Sequence, residues 1–187
     1  MATGKTKLAI FDLDGTLFNT DDVNYKAYRE AFRPYGIELD REYFVKYCNG
    51  RHYKEFVPKI MGNSEHLEAV HDKKKEYYKT FLDDAVVNKH LFSMIEVMRD
   101  SYYTAVVTTA SRKNVEDILG RFGVKDSFDY CITQEDIHKP KPNPEGFLLA
   151  MEHFGVAPED TVIFEDSDVG IEAARASGAA VFVADRF

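Results

Sequence analysis

The sequence of 187 residues predicts an α/β fold in which helices cover both faces of a parallel sheet, with a small helical insertion. The first observation is a set of short apolar runs that end abruptly, as buried strands of a parallel sheet do. The second is that helical stripes followed by glycine alternate with the later runs. The third is that one stretch near the N-terminus carries helical stripes alone. At about 150 residues per domain, the length suits one domain with a modest insertion.

Five short apolar segments are predicted to be strands. The first, Leu8–Phe11, stops at an aspartate after four apolar residues. The others are Thr104–Val107, Phe128–Ile132, Thr161–Phe164 and Ala179–Val183. Runs of this length without polar alternation are typical of strands that are buried on both faces.

Three helical stripes separate or follow the later strands. The first consists of Val115, Ile118, Leu119 and Phe122, and the second of Phe147, Ala150, Met151 and Phe154. The third consists of Ile171, Ala174 and Arg175. Gly123, Gly155 and Gly178 follow these stripes, where a glycine commonly ends a helix. Strand, helix and glycine in repeated order indicate βα units on a parallel sheet.

The segment 19–83 is predicted to be the helical insertion. It contains a stripe made of Ala27, Tyr28, Ala31, Phe32 and Tyr35, followed by Gly36, and it has no clear buried strand. We therefore assign residues 1–18 and 84–187 to the α/β core and residues 19–83 to the insertion. The polar stretch Leu82–Asp84 is predicted to return the chain to the core.

Charge and composition exclude several classes of protein. The chain has 24 basic and 32 acidic residues, a net charge of −8, which gives no general attraction to nucleic acid or to an anionic membrane. Cys48 and Cys131 form no Cys-x-x-Cys pair, so no zinc or redox motif is indicated. No apolar stretch approaches the roughly 20 residues of a membrane span, and Leu8–Phe11 is too short for a secretion signal. We expect a cytoplasmic protein.

Polar side chains follow four of the predicted strands. The segments are Asp12-Leu13-Asp14-Gly15-Thr16, Thr108-Thr109-Ala110-Ser111-Arg112, His138 to Pro144, and Glu165-Asp166-Ser167-Asp168. The carboxyl ends of parallel strands form one edge, where ligands bind. Clustered carboxylates need a proton or a cation between them, and hard oxygen ligands suit Mg²⁺. A lysine and hydroxyl groups beside such an ion would bind an anion, which indicates phosphoryl transfer with a carboxylate as nucleophile.

The run Phe11–Leu17 resembles the first signature of the haloacid dehalogenase superfamily of phosphotransferases, and the other three segments stand in that family's order. The resemblance covers roughly residues 6–18 and 84–187, and the insertion resembles the family's helical cap. It implies a Rossmann-like core. It also implies a Mg²⁺-dependent phosphatase that hydrolyses a small phosphomonoester through an aspartyl-phosphate.

The resemblance further implies roles for the acidic residues. Asp12 matches the nucleophile, and Asp14 matches the general acid/base that protonates the leaving oxygen and later activates water. Asp12, the backbone carbonyl of Asp14 and Asp166 would bind Mg²⁺, and Glu165 would assist directly or through water.

The phosphate-binding hydroxyl and the lysine of the family each have two candidates here. The candidates are Thr109, together with Ala110 and Ser111, or Thr108, and Lys141 or Lys139. Thr109 is preferred because the residues that follow it then also match the family's pattern. Lys141 is preferred because the spacing of Lys-Pro-x-Pro to the glutamate that follows fits the family better. The lysine would neutralise the charges of nucleophile and phosphate together.

The insertion resembles the cap of the β-phosphoglucomutase and phosphoglycolate phosphatase branch. It departs from the mutase pattern, because Asn24 stands where that cap has a histidine and the stretch Gly50-Arg51-His52-Tyr53 differs from the mutase's loop. A plain phosphatase is therefore favoured over a sugar phosphomutase, with a non-catalytic binding module as a third reading of the fold. Asn24, Arg51 and His52 are the candidates for substrate contact. We expect a small phosphorylated metabolite as the partner, and a monomer or weak homo-oligomer.

Overall fold

The computed structural model describes residues 4–184 and 187. The chain forms two compact units, Met1–Asn19 with Val87–Phe187, and Thr20–Val86. The second unit begins one residue later and ends three residues later than the predicted insertion 19–83. The predicted core also includes residues 1–3 and 185–186, which lie outside the described residues.

A parallel sheet of five strands forms the centre of the first unit. The strands of the chain are β1 (Lys7–Phe11), β2 (Phe18–Asn19), β3 (Val86–Val87), β4 (Tyr102–Val107), β5 (Tyr130–Ile132), β6 (Thr161–Glu165) and β7 (Ala180–Val183). The sheet has the order β5-β4-β1-β6-β7, and β2 pairs with β3 separately. Because later strands are added first on one side of β1 and then on the other, the switch in direction lies beside β1, and ligands bind at such a point. The predicted fold class is confirmed.

Helices cover both faces of this sheet. The α-helices of the described chain are α1 (Asp21–Phe32), α2 (Arg41–Tyr47), α3 (Tyr53–Met61), α4 (Leu67–Tyr78), α5 (Lys89–Met98), α6 (Arg112–Phe122), α7 (Glu145–Phe154) and α8 (Asp168–Ala176). Helices α5 to α8 belong to the first unit, and α1 to α4 belong to the second. On one face, Ile10 of β1 lies in a buried cluster with residues of α7 and α8. On the other face, Phe11 meets Phe128 edge to face with 6.2 Å between ring centroids, and Phe128 contacts Phe92 of α5. Ile10 and Phe11 therefore pack on opposite faces of the sheet, because successive side chains of a strand point to opposite sides.

Strand β5 is shorter than the predicted Phe128–Ile132 and begins at Tyr130. The preceding residue, Asp129, bonds to the neighbouring strand through its side chain as well as its backbone. Its amide donates to the Thr104 carbonyl oxygen at 2.8 Å, and its carboxylate accepts from the Thr104 amide at 2.9 Å. A side chain thus takes the place of a backbone acceptor there, and the regular ladder starts one residue later.

The second unit consists of α1 to α4 around an aromatic core. Tyr28 of α1, Phe44 of α2 and Phe56 of α3 are buried, with 5.0 Å between the ring centroids of Tyr28 and Phe56. Helix α1 ends at Phe32, before Tyr35, the last residue of the predicted stripe, and the chain continues as a 3₁₀ turn to Gly36, whose φ is +71°. The predicted return segment, Leu82–Asp84, lies in a 3₁₀ helix. Within the described residues, no helix is long and apolar enough to cross a membrane.

A buried histidine makes the stability of this unit sensitive to acid. His71 of α4 is buried, and its ring stacks on Tyr53 with 3.6 Å between centroids. Within the described chain, neither ring nitrogen has a hydrogen-bond partner. Burial, and then the charges of Lys74 and Lys75, lower the pKa of His71 to about 3, while Asp72 opposes this shift.

We expect His71→Phe to reduce the slope with which the free energy of unfolding falls as the pH is lowered. An unfolded histidine has a pKa of about 6.5, so between about pH 6.5 and 3 the unfolded chain binds a proton that the folded chain does not. The free energy of unfolding therefore falls with falling pH in this window, by at most about 1.4 kcal/mol per pH unit from this group. Urea unfolding from pH 7 to pH 4 measures the slope. The exposed His90→Gln should keep the wild-type slope, and an equally steep slope in His71→Phe would contradict the assignment.

Candidate active site

The site is organised around Asp12, which follows directly after β1. The Asp12 amide donates to the carbonyl oxygen of Phe164 in β6 at 2.9 Å, so the neighbouring strand fixes the backbone there. The Asp12 carboxylate is buried, and its Oδ1 accepts a hydrogen bond from Lys141 Nζ at 2.6 Å. Lys141 Nζ also donates to Glu165 Oε2 at 2.6 Å. One ammonium group therefore joins two carboxylates from different strand ends.

A third carboxylate completes the cluster. Ligand oxygens of Asp12, Glu165 and Asp166 all lie within 4.8 Å of one another. These three residues come from the ends of β1 and β6, which pair in the sheet with Phe11 opposite Phe164. The register of two adjacent parallel strands thus brings the acidic groups together, and their oxygens could hold a metal ion.

The electrostatics of the cluster are dominated by burial and by like charges. Burial, and then the charge of Glu165, raise the pKa of Asp12 well above its usual range, although Lys141 opposes the shift. The same two causes raise the pKa of Asp166 to about 7. Burial alone would lower the pKa of Lys141, but the charges of Asp12 and Glu165 outweigh it and raise that pKa. Three ionised carboxylates facing one ammonium leave an excess of two negative charges, which suits a divalent cation.

Glu165 is held by the residues that lead into α8 as well as by Lys141. Its Oε1 accepts from the amides of Asp166 and Ser167, both at 3.2 Å, and from Ser167 Oγ at 2.8 Å. Ser167 also caps α8, because its Oγ accepts from the Gly170 amide at 3.1 Å. A Cβ at Gly170 would overlap the Glu165 carboxylate, so this helix position has to be glycine. The first turn of α8 therefore forms the wall against which Glu165 is buried.

The chain turns sharply after Asp14. Asp14 is half-buried and forms an isolated backbone bridge with Phe18, and the Gly15 amide donates to the Phe18 carbonyl oxygen at 2.7 Å. Gly15 has a φ of +92°, and a Cβ there would overlap the Asp166 carboxylate. Glycine therefore permits both the turn and the close approach of this loop to Asp166.

The hydroxyl candidates after β4 differ in their local bonding. Thr108 is buried, and its Oγ1 accepts from the Ala110 amide at 3.0 Å. Ser111 is the N-cap of α6, where its Oγ accepts from the Asn114 amide at 3.4 Å. Thr109 is half-buried and lines a narrow cavity. The hydroxyls of Thr108 and Ser111 thus serve the turn and the helix end.

The two lysine candidates lie in different surroundings. Lys141 is the one whose Nζ contacts the carboxylates, whereas Lys139 is exposed, and both line the cavity that Thr109 lines. Glu145, the first residue of α7, accepts hydrogen bonds from the amides of His138 at 3.0 Å and Lys139 at 2.7 Å. The helix end therefore holds the loop that carries Lys141.

The remaining candidates lie in the second unit. Asn24 is buried in α1, and its Nδ2 donates to Thr20 Oγ1 at 3.0 Å. Arg51 is exposed between α2 and α3, and His52 is the N-cap of α3, where its Nδ1 accepts from the Lys54 amide. Substrate contact by Asn24, Arg51 and His52 stays a prediction.

Sequence reasoning assigned no role to Thr16, Glu145, Ser167 or Gly170. Thr16 Oγ1 donates to Asp166 Oδ1 at 2.8 Å, and the other three hold Glu165 or the lysine loop as described above. Gly170 carries the clearest signal, because a glycine inside a predicted helix costs about 1 kcal/mol relative to alanine and so suggests a packing reason. Ser167 is the residue type expected at an N-cap.

The sequence matches the family described as haloacid dehalogenase-like hydrolase over residues 9–184. It is 31% identical over 171 residues to the Escherichia coli (strain K12) protein named fructose-1-phosphate phosphatase YqaB, covering 90% of this chain and 91% of that protein. A Thermotoga maritima protein named phosphorylated carbohydrates phosphatase is 28% identical over 176 residues, covering 90% of this chain and 80% of that protein. The crystal structure of CbbY from Rhodobacter sphaeroides in complex with phosphate is similar with a TM-score of 0.87 and 26% identity, covering 97% of this chain and 87% of that one.

Proposed function

The chain belongs to the haloacid dehalogenase-like hydrolases, and we propose that it is a phosphatase that hydrolyses the phosphate monoester of a small sugar. The observation that carries the proposal is the buried Asp12 carboxylate, paired with Lys141 and adjacent to Glu165 and Asp166. The names of the relatives support the substrate class, since one is a fructose-1-phosphate phosphatase and another a phosphatase of phosphorylated carbohydrates.

Asp12 and Asp14 divide the reaction between them. The Asp12 carboxylate attacks phosphorus, the bond between phosphorus and the sugar oxygen breaks, and an aspartyl-phosphate forms while Asp14 gives its proton to the departing oxygen. Asp14 then takes a proton from a water molecule, whose oxygen attacks phosphorus. The bond to Asp12 breaks, inorganic phosphate leaves, and both aspartates return to their starting states. Two residues of spacing at a strand end let the two groups approach one phosphate from different directions.

Lys141 and Thr109 bind the phosphate group of the substrate. The Lys141 ammonium favours the ionised form of Asp12, which is the form that attacks, and it offsets the negative charge of an incoming phosphate. Thr109 offers its hydroxyl to phosphate oxygens, and Ser111 places the N-terminus of α6 beside it. The Ala110 amide, which donates to Thr108 Oγ1, would exchange that bond for one to phosphate. Glu165 keeps Lys141 in place from the other side.

The acidic cluster fits a bound Mg²⁺ ion. Its donors are hard oxygens, and its excess negative charge together with the raised pKa values of Asp12 and Asp166 calls for a cation. Asp12, the Asp14 carbonyl oxygen, Glu165 and Asp166 would hold the ion. When bound, Mg²⁺ balances the negative charge of the phosphoryl group and the carboxylates.

The proposal is tested by phosphate release from a panel of esters. Sugar phosphates, p-nitrophenyl phosphate and a nucleoside monophosphate are incubated with the protein, with Mg²⁺ or with EDTA. We expect Mg²⁺-dependent release of inorganic phosphate, with kcat/KM for the best sugar phosphate at least about tenfold above that for the nucleotide, a margin of about 1.4 kcal/mol in transition-state binding. Absence of phosphate release from every ester would contradict the proposal.

The same experiment distinguishes a phosphomutase. With β-glucose 1-phosphate as substrate, a phosphatase yields glucose and free phosphate, whereas a mutase yields glucose 6-phosphate. We expect free phosphate, because Asn24 and the Arg51 loop depart from the mutase pattern. Accumulation of glucose 6-phosphate would identify the mutase instead.

A further inference from the structure

Thr16 links the loop after β1 to the end of β6. Its side chain is fully buried, and Oγ1 donates a hydrogen bond to Asp166 Oδ1 at 2.8 Å across 150 residues of sequence. The reaction described above uses no hydroxyl at this position. Valine would fill the same volume but would leave Asp166 Oδ1 without this donor, so the hydroxyl calls for an explanation of its own.

Hydrogen bonds from Asn88 fix the backbone around Thr16. Asn88 Nδ2 donates to the Thr16 carbonyl oxygen at 3.1 Å, and the Asn88 amide donates to the Leu17 carbonyl oxygen at 2.9 Å. Asn88 is itself held as the N-cap of α5, where its Oδ1 accepts from the Leu91 amide. Thr16 therefore presents its hydroxyl from a rigid segment.

Asp166 is confined between this hydroxyl and Gly15. A Cβ at Gly15 would overlap the Asp166 carboxylate, so the carboxylate lies directly against the backbone of the loop. The two other carboxylates of the cluster are held by Lys141, whereas Asp166 is held by Thr16 among the hydrogen bonds of the described residues. Within the described residues, Asp166 thus has its orientation set by a neutral donor and not by a hydrogen bond from Lys141.

We propose that Thr16 is a positioning residue that holds Asp166 in the orientation in which it binds a divalent cation. A hydroxyl suits this task because it directs one carboxylate oxygen without neutralising the group, so the negative charge stays available to the cation. A lysine in the same place would compete with the ion. The inference rests on the proposed function, because it assigns the cation to the cluster that the phosphatase reaction uses.

Direct measurement of Mn²⁺ binding tests this inference independently of turnover. Free Mn²⁺ is quantified by its electron paramagnetic resonance signal during titration of the wild type, Thr16→Val and Thr16→Ser. Loss of a hydrogen bond to a metal ligand typically weakens metal binding about 10–100-fold. We expect a weakening of this size in Thr16→Val and a change of less than about threefold in Thr16→Ser, which keeps the hydroxyl. Melting temperatures in EDTA serve as the control for folding.

The outcomes separate the inference from the proposed function. Wild-type Mn²⁺ affinity in Thr16→Val, equal weakening in both variants, or no Mn²⁺ binding by the wild type overturns the role of the hydroxyl. If Thr16→Val does not fold, the smaller Thr16→Ala takes its place under the same criteria. If Mn²⁺ binds as expected but no ester is hydrolysed, the phosphatase proposal fails while the role of Thr16 stands.

Discussion

Replacing Asp12 with asparagine should abolish hydrolysis of p-nitrophenyl phosphate in the presence of Mg²⁺. The amide has nearly the same shape as the carboxylate but cannot attack phosphorus, so no aspartyl-phosphate forms. Removal of an essential nucleophile typically lowers kcat by 10⁴-fold or more, roughly the loss expected here. The exposed Asp100→Asn is a matched control that should keep wild-type turnover, since Asp100 precedes β4 and so lies at the edge of the sheet opposite the carboxyl ends of the strands. Turnover by Asp12→Asn at the wild-type rate would remove Asp12 from the mechanism.

The same variant should fold at least as stably as the wild type when divalent metal is absent. The ionised Asp12 carboxylate is disfavoured in the folded chain, because burial and Glu165 raise its pKa above the value of an unfolded aspartate. Its ionisation therefore costs stability at neutral pH, and a neutral amide removes that cost. The oxygen of the introduced amide could still accept from Lys141, which also keeps Glu165 as its partner. A melting temperature in EDTA that is equal or higher would show that the lost turnover is chemical, whereas a lower one would contradict the electrostatic account.

The regular elements of the first unit follow from local patterns, and its exceptions have physical reasons. The strand Leu8–Phe11 is evident because it is apolar on both faces and ends at a charge. Helix α5 is not predicted by the pattern, since Leu91 and Ile95 are its buried residues while Val97 is 84% exposed. With an apolar stripe this narrow, the sequence pattern does not distinguish a helix from a loop. The start of β5 depends on the Asp129 carboxylate, a tertiary contact that sequence periodicity does not contain.

The location of the site can be predicted from the sequence, whereas most of its side-chain contacts cannot. Parallel strands deliver their carboxyl ends to one edge, so sequence alone predicts that Asp12 and Asp166 approach each other, and the structure places their oxygens in one cluster. Which lysine reaches that cluster depends on the path of the loop before α7. The spacing of residues in the sequence favours Lys141 but does not determine that path. The bond between Thr16 and Asp166 depends on the register of β1 against β6, and register is a property of the whole sheet.

Gly170→Ala should lower both stability and activity, although alanine is the better helix former. A Cβ at position 170 would overlap the Glu165 carboxylate, which is buried and has Lys141 on its other side. Either the helix shifts or the carboxylate moves away from Lys141. Overpacking of this kind costs about 1–3 kcal/mol, and each kcal/mol lowers the melting temperature by about 2–4 °C in a chain of this size.

The loss of activity should exceed what the loss of stability explains. Displacing Glu165 displaces Lys141 and with it Asp12, and a misplacement of about 1 Å in reacting groups can cost on the order of 10²-fold in rate. We therefore expect kcat to fall by about this factor at temperatures where Gly170→Ala is fully folded. Thermal unfolding and steady-state kinetics on the same preparation separate the two effects.

Gly120→Ala provides the matched control for this substitution. Gly120 lies in α6, and a Cβ there would meet no atom of the described residues within 4 Å beyond its chain neighbours and the backbone of its own helix. The helix should therefore gain about 0.5–1 kcal/mol from the lower backbone entropy of alanine, and kcat should not change. Opposite shifts of melting temperature in the two variants would show that contact with Glu165, and not helix propensity, requires glycine at position 170. If both variants are stabilised, α8 has room for a methyl group, and the close packing of Glu165 against it is wrong.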